Sequence, residues 1–239
     1  MTKDRKTPVA SEGGMAIIIQ QPDGSTKLTY TQEEYKFAFE LRNAARFMAN
    51  SAKSLEETSR THYHNKAFIH AAIMLSYASL EAAINEILHI HALTERSPLT
   101  ESERNTIYSI TQGDLIPKKN NHTLGMFNMI LRVIGKPEIN SGDKTYQNAD
   151  LVRSLRNMIV HPIPGKVMTF TEFEDYDYSS QQEIVKKLRA PLGLHRSATF
   201  PKDVMTKECA NWAVSSCETF LHTFLEISKI DIGFITKSN

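Results

Sequence analysis

Between residues 64 and 94 the chain carries apolar residues at a helical period on more than one face, among them Phe68, Leu75, Leu80, Ile84, Ile87 and Leu88. A helix that is apolar most of the way round must be packed on several sides. The segment therefore demands a ring of other helices, and it predicts a mainly α fold with this helix at its centre.

The remaining helices can be placed from caps and stripes. Thr31 opens one with a TQEE capping box that returns a bond from Glu34. Its apolar stripe is read as Phe37, Leu41, Ala45, Met48, Ala52 and Leu55, with Arg42, Arg46, Lys53 and Glu57 elsewhere on the surface. Thr100 starts a second, by TESE, that runs to Ile110. A third from Thr123 carries Leu124, Phe127, Ile130, Leu131 and Ile134 and stops at Gly135, a left-handed cap. After a loop over residues 136–147 comes the helix of residues 149–161. A short helix over 181–190 ends in a Pro-Leu-Gly turn, and a last one from Asp203 to Ile230 presents Met205, Cys209, Trp212, Phe220 and Phe224. The fold predicted is a helical bundle of four to six helices.

Two segments read differently. MAIIIQ and TKLTY flank a Pro-Asp-Gly turn, which predicts an N-terminal β-hairpin behind a polar stretch, residues 1–14, that frays. After the 149–161 helix, KVMTFTEF is strand-like and EDYDY acidic, so a short β or loop excursion is expected. The domain reading is residues 1–30 as flexible N-terminus plus hairpin, 31–230 as the helical domain with an insertion over 165–200, and 231–239 as a tail.

Composition narrows the chemistry. A net charge of +1 gives no global basic footprint for sequence-independent duplex binding. Cys209 and Cys217 stand eight apart on one helix, about 12 Å along its axis and too far for a disulfide. That suits a reducing cytoplasm. No long apolar stretch lies near the N-terminus, so neither export nor a membrane anchor is expected. His62 and His64, and likewise His89 and His91, are two apart and point in opposed directions on a helix, and no Cys or Asp cluster completes a metal site. No metal and no cofactor is expected. A phosphate-binding loop and a serine-hydrolase elbow are both missing from the sequence.

One stretch concentrates reactive side chains. In ADLVRSLRNMIVHPIP, residues 149–164, apolar residues recur at Leu151, Leu155, Met158 and Ile159, and Pro162 stops the helix so that His161 lies at its C-terminus. Arg153, Asn157 and His161 are spaced i, i+4, i+8 on a polar side, with the Asn157 amide in reach of the imidazole, whereas Arg156 lies about 100° round from Asn157. Arg156 and His161 do not share a face. Either the arginine wraps round or a second copy of the helix completes the site. Glu81, on a stripe with Met74, Tyr77, Ile84 and Leu88, would be a buried carboxylate in need of a partner. It either makes a structural ion pair or contacts Arg156 or Arg153 and orients the motif. The basic run Lys186, Lys187 and Arg189 is a secondary candidate for touching an RNA backbone.

Arg156-Asn157 followed by His161 at the end of an apolar helix resembles the R-x(4-6)-H motif of the HEPN superfamily, and the helix SYASLEAAINEIL upstream adds to the likeness. The resemblance implies a compact helical bundle and a metal-independent endoribonuclease acting as a homodimer in toxin-antitoxin or antiviral defence systems. Arg156 and His161 are then the catalytic pair, supported by Asn157, Arg153 and Glu81. An antitoxin or activating partner protein is implied as well. Some members carry a tyrosine two residues after the histidine that a partner enzyme modifies; here Ile163 stands there, so that route of control is not expected.

The chemistry suits those residue types. An imidazole titrates close to neutrality and can take a proton from a 2′-hydroxyl or give one to a 5′-leaving oxygen. A guanidinium offers a planar fork of donors to a phosphorane. With no metal to generate hydroxide, attack by the 2′-hydroxyl is the economical route, leaving a 2′,3′-cyclic phosphate. One histidine cannot easily be both acid and base, and a two-fold dimer answers that as well as the reach. Against this stand a purely structural motif in which Arg156 caps carbonyls or pairs with an acid and His161 meets the helix dipole, a non-catalytic helical module that binds a nucleotide or protein, and a plain oligomerisation scaffold.

Overall fold

The computed structural model describes residues 6–11, 14–20, 26–30, 37–55, 58, 61–93, 99–111, 123–161 and 179–230. The chain divides into two compact units, Met1–Phe37 and Ala38–Asn239.

In the first unit, strands β1 (Lys6–Ser11), β2 (Gly14–Gln20) and β3 (Thr26–Tyr30) form an antiparallel sheet in the order β1-β2-β3. Ile17 pairs with Pro8 on one side and Thr29 on the other. The polar stretch expected to fray thus contributes a strand. The Pro22-Asp23-Gly24 turn lies outside the described residues, as does the expected strand and acidic cluster between 162 and 178.

The second unit is helical. Its elements are α1 (Phe37–Ser54), α2 (His62–Leu93), α3 (Glu101–Thr111), α4 (Thr123–Val133), α5 (Lys144–Val160), α6 (Ser179–Leu192) and α7 (Lys207–Ser228). The seven helices among the described residues match, segment by segment, those read from caps and stripes, and are one more than the bundle count of four to six.

Helix α2 sits at the heart of the bundle and borders α3, α4, α5 and α7. Ile73, Tyr77, Leu80 and Ile87 on it are sealed from solvent. It is long and apolar enough to cross a bilayer, but half of that apolar window is buried against the rest of the protein. Its buried serines satisfy themselves on their own helix, Ser76 Oγ donating to the Ala72 carbonyl at 2.6 Å and Ser79 Oγ to that of Ser76 at 2.7 Å. Across from α2, the Phe127 ring meets Phe220 and Phe224 edge-on at 5.3 and 4.8 Å.

Helix α1 is rotated from its expected orientation. Its buried side is Ala38, Arg42, Ala45, Ala49 and Ala52, a four-three repeat of small residues, while Phe37 and Phe47 are largely exposed. Arg46 ties the helix to α7 by an ion pair with Glu218. Arg42, expected on the surface, is buried instead. Further along, Lys207 Nζ donates to the Leu55 carbonyl at 2.8 Å, so α1 and α7 run antiparallel.

Several boundaries follow the capping chemistry. Thr100 Oγ1 accepts from the Glu103 amide at 3.3 Å while Glu103 Oε2 accepts from the Thr100 amide at 2.7 Å, a reciprocal box opening α3. Gly135 ends α4 at φ +66°, and the Lys136 amide reaches back to the Leu131 carbonyl at 2.8 Å. Two starts differ from expectation. Helix α5 begins at Lys144, inside the stretch read as loop, with Asp143 at its N-cap and the Tyr146 ring 6.0 Å from that of Phe220. Helix α7 begins after Thr206, whose side chain caps the Cys209 amide, while Asp203 is occupied with the amide and hydroxyl of Thr199.

Candidate active site

Ala149, Val152 and Leu155 form the fully buried side of α5, with Leu151, Met158 and Ile159 half-buried around them. Arg156 follows Ala149 and Val152 at four-three spacing and so emerges at the edge of the packed seam. Its side chain is 30% exposed. There it meets α2: Nη2 lies 3.4 Å from Glu81 Oε2, and Nη1 donates to Asn157 Oδ1 at 3.0 Å. Both terminal nitrogens are thereby held, one by the neighbouring helix and one by the adjacent residue.

Glu81 is not the buried carboxylate expected. Its side chain is 36% exposed, and Met74 on the same stripe also reaches solvent, whereas Tyr77, Ile84 and Leu88 are buried. The stripe is a boundary, apolar on one side and open on the other.

Helix α5 stops at His161, which takes the non-helical dihedrals φ −119° and ψ 65° and donates its backbone N–H to the Asn157 carbonyl at 2.8 Å. The residue is exposed. Asn157 was expected to serve the imidazole; its side-chain oxygen serves Arg156 instead. Val160 beside it is a large apolar residue left exposed.

Arg153 stands apart from this group. Its Nε bonds Asp150 Oδ1 at 2.8 Å one turn back. Burial acts to lower the Arg153 value, but Asp150, Tyr77 and Tyr146 outweigh it and hold the guanidinium above its usual range. Burial also pushes the Tyr77 phenol up to about 12, against the pull of Arg153 and with Glu81 adding to the rise. The i, i+3 carboxylate wins Arg153 because it is the nearest acid.

In the basic run, Lys187 pairs with Glu183 at 2.7 Å in the open, Arg189 donates to the Arg196 carbonyl at 2.8 Å, and Lys186 is exposed.

One charged group escaped the sequence reading. Arg42 is 4% exposed, with its guanidinium carbon 4.8 Å from the Phe39 ring centre and Nε and Nη2 lacking a hydrogen-bond partner. Burial, with Arg46 alongside, lowers its pKa, and Glu218 opposes that shift. Only the alanine repeat around it could have given the burial away. A cleft of about 360 Å³ between α4 and the following loop is lined by Asn128, Arg132, Asn140 and Tyr146 and contains no motif residue. Among the described residues no group of three or more His, Cys, Asp or Glu is placed to hold a metal ion.

Compared with protein-family models, with curated proteins and with solved structures, the chain matches none.

Proposed function

We propose that this protein is a metal-independent endoribonuclease of HEPN type, a helical bundle with an N-terminal hairpin extension that works in the cytoplasm as a homodimer. Toxin or antiviral defence effector is the role that reading implies, with an antitoxin or activating protein as its partner and no membrane association. The observation that carries it is the placement of Arg156: a half-exposed guanidinium held between Glu81 and Asn157, one and a half turns before an exposed His161 at a helix end. A guanidinium pre-positioned at a solvent boundary is ready to receive a phosphodiester as its transition state gains charge. The imidazole supplies proton transfer without a metal.

Expression in a heterologous host tests it. Wild type should arrest growth and fragment RNA, and His161→Ala expressed to the same level should do neither. Equal growth and intact RNA with both proteins would remove the nuclease reading.

A second reading rests on the same contacts. Both Arg156 terminal nitrogens already have protein partners, which is what a purely structural arginine would show. On that reading the bundle is a non-catalytic module that binds a nucleotide or a protein.

A further inference from the structure

We infer that Glu81 is the general base of the RNA cleavage, taking the proton from the attacking 2′-hydroxyl, and that His161 serves only as the acid. The inference rests on the endoribonuclease reading above. It replaces the need for two histidines in one cleft with a carboxylate that each copy already carries.

The geometry of Glu81 does not fit a device for stability. The carboxylate meets Arg156 through one oxygen at 3.4 Å, with both side chains about one-third exposed. A pair so open to solvent contributes little to stability. Glu81 stands where the stripe that continues as buried Tyr77, Ile84 and Leu88 opens to solvent, so a substrate can reach its carboxylate. Its other oxygen, Oε1, has no hydrogen bond among the described residues. A carboxylate held at one oxygen and open at the other is an acceptor waiting for a donor.

Beside a phosphate site, that donor is constrained. An ionised carboxylate only accepts hydrogen bonds and repels the phosphate oxygens, so beside a phosphate held by Arg156 its open oxygen is best met by a hydroxyl or N–H of the substrate. The RNA group bonded closest to the scissile phosphate that can do so is the 2′-hydroxyl. Among the described residues, Glu81 and Asn157 are the side chains that hydrogen-bond to Arg156, and of these two only Glu81 can take a proton.

The step balances as follows. Glu81 takes the 2′-hydroxyl proton as O2′ forms its bond to phosphorus, Arg156 bears the charge that gathers on the non-bridging oxygens, and the P–O5′ bond breaks. O5′ leaves with a proton from the His161 imidazolium. The products are a 2′,3′-cyclic phosphate and a 5′-hydroxyl end, and both residues return to their starting state by exchange with water.

A sulfur substitution separates the two roles. In an RNA whose scissile O5′ is replaced by sulfur, the thiolate leaves without an acid, so loss of the acid is forgiven and loss of the base is not. Wild type, Glu81→Ala, Glu81→Gln and His161→Ala, matched for helical content and melting temperature, are assayed on the all-oxygen and the 5′-thio substrate in EDTA. All three variants should lose about 10²- to 10⁴-fold on the oxygen substrate. On the sulfur substrate His161→Ala should return to within about tenfold of wild type, while the Glu81 variants stay impaired. Added acetate should restore Glu81→Ala more than the less basic formate does, a dependence on base strength that a residue merely orienting Arg156 would not show.

Glu81 variants that cleave like wild type, a His161→Ala enzyme that sulfur does not rescue, or recovery indifferent to carboxylate basicity would each overturn the assignment of Glu81. Failure of the underlying reading looks different: wild type leaves both substrates intact, or His161→Ala matches wild type on the oxygen substrate.

Discussion

Arg156 on α5 and Glu81 on α2, 75 positions apart in sequence, meet at 3.4 Å on the rim of the bundle rather than inside it. Solvent at the pair limits its energetic weight. Glu81→Ala should lower stability to urea by less than about 1 kcal/mol, and the double variant with Arg156→Ala should show coupling of the same small size. A loss of several kcal/mol from either change would mark the pair as structural.

If one cleft draws its arginine and its histidine from different copies, two dead proteins can repair each other. Mixing Arg156→Ala with His161→Ala makes about half the dimers mixed, and each mixed dimer keeps one intact cleft of two. Cleavage should recover to about a quarter of wild type. A site built within one copy would give no recovery.

Gly135 ends α4 at φ +66°, and a Cβ there would meet nothing within 4 Å. The cost of a side chain is therefore purely one of backbone conformation. Gly135→Ala should destabilise the protein by about 1 kcal/mol, and Gly135→Asn by less, because asparagine tolerates the left-handed region. Chemical denaturation of the two variants checks the order.

Burial pushes the Cys209 thiol up to about 12, and Cys217 is raised in the same direction for the same reason. In the unfolded chain a cysteine ionises near about 8.5, so above that pH the unfolded state loses protons that the folded state keeps. The two thiols should therefore add no pH dependence below pH 8, and each should lower stability by about 1.4 kcal/mol per pH unit between roughly pH 9 and 11. Replacing both cysteines by alanine should make that alkaline decline shallower. In the native protein neither thiol should react with a disulfide reagent until the chain is unfolded.

What the sequence discloses about this fold depends on whether the cause is local. The Thr100–Glu103 box and the Gly135 stop are written within four residues, and both form with the expected bonds. The start of α5 combines a local and a distant cause: Asp143 stands at the N-cap in extended conformation, and the Tyr146 ring in the first turn meets the Phe220 ring on α7. On α1 the expected stripe is met at Ala45 and Ala52 and in part at Met48, while Phe37 outweighs an alanine on any hydrophobic scale yet is exposed, and the buried side runs through Ala38, Arg42 and Ala49 instead. At the candidate site the Glu81–Arg156 contact was among the expectations drawn from Glu81's place on an apolar stripe. The partners of Arg153 and Asn157 were not, since Asp150 and Arg156 are nearer to them than the imagined polar face.

Cleavage of a defined RNA in EDTA by purified wild type, Arg156→Ala and His161→Ala, with the product ends analysed, tests the central claim most directly. The account predicts cleavage by wild type alone, leaving 2′,3′-cyclic phosphate and 5′-hydroxyl ends, with both variants folded and slowed by at least about a hundredfold. Cleavage that persists in either variant, that requires a divalent metal, or that leaves 5′-phosphate ends would contradict it.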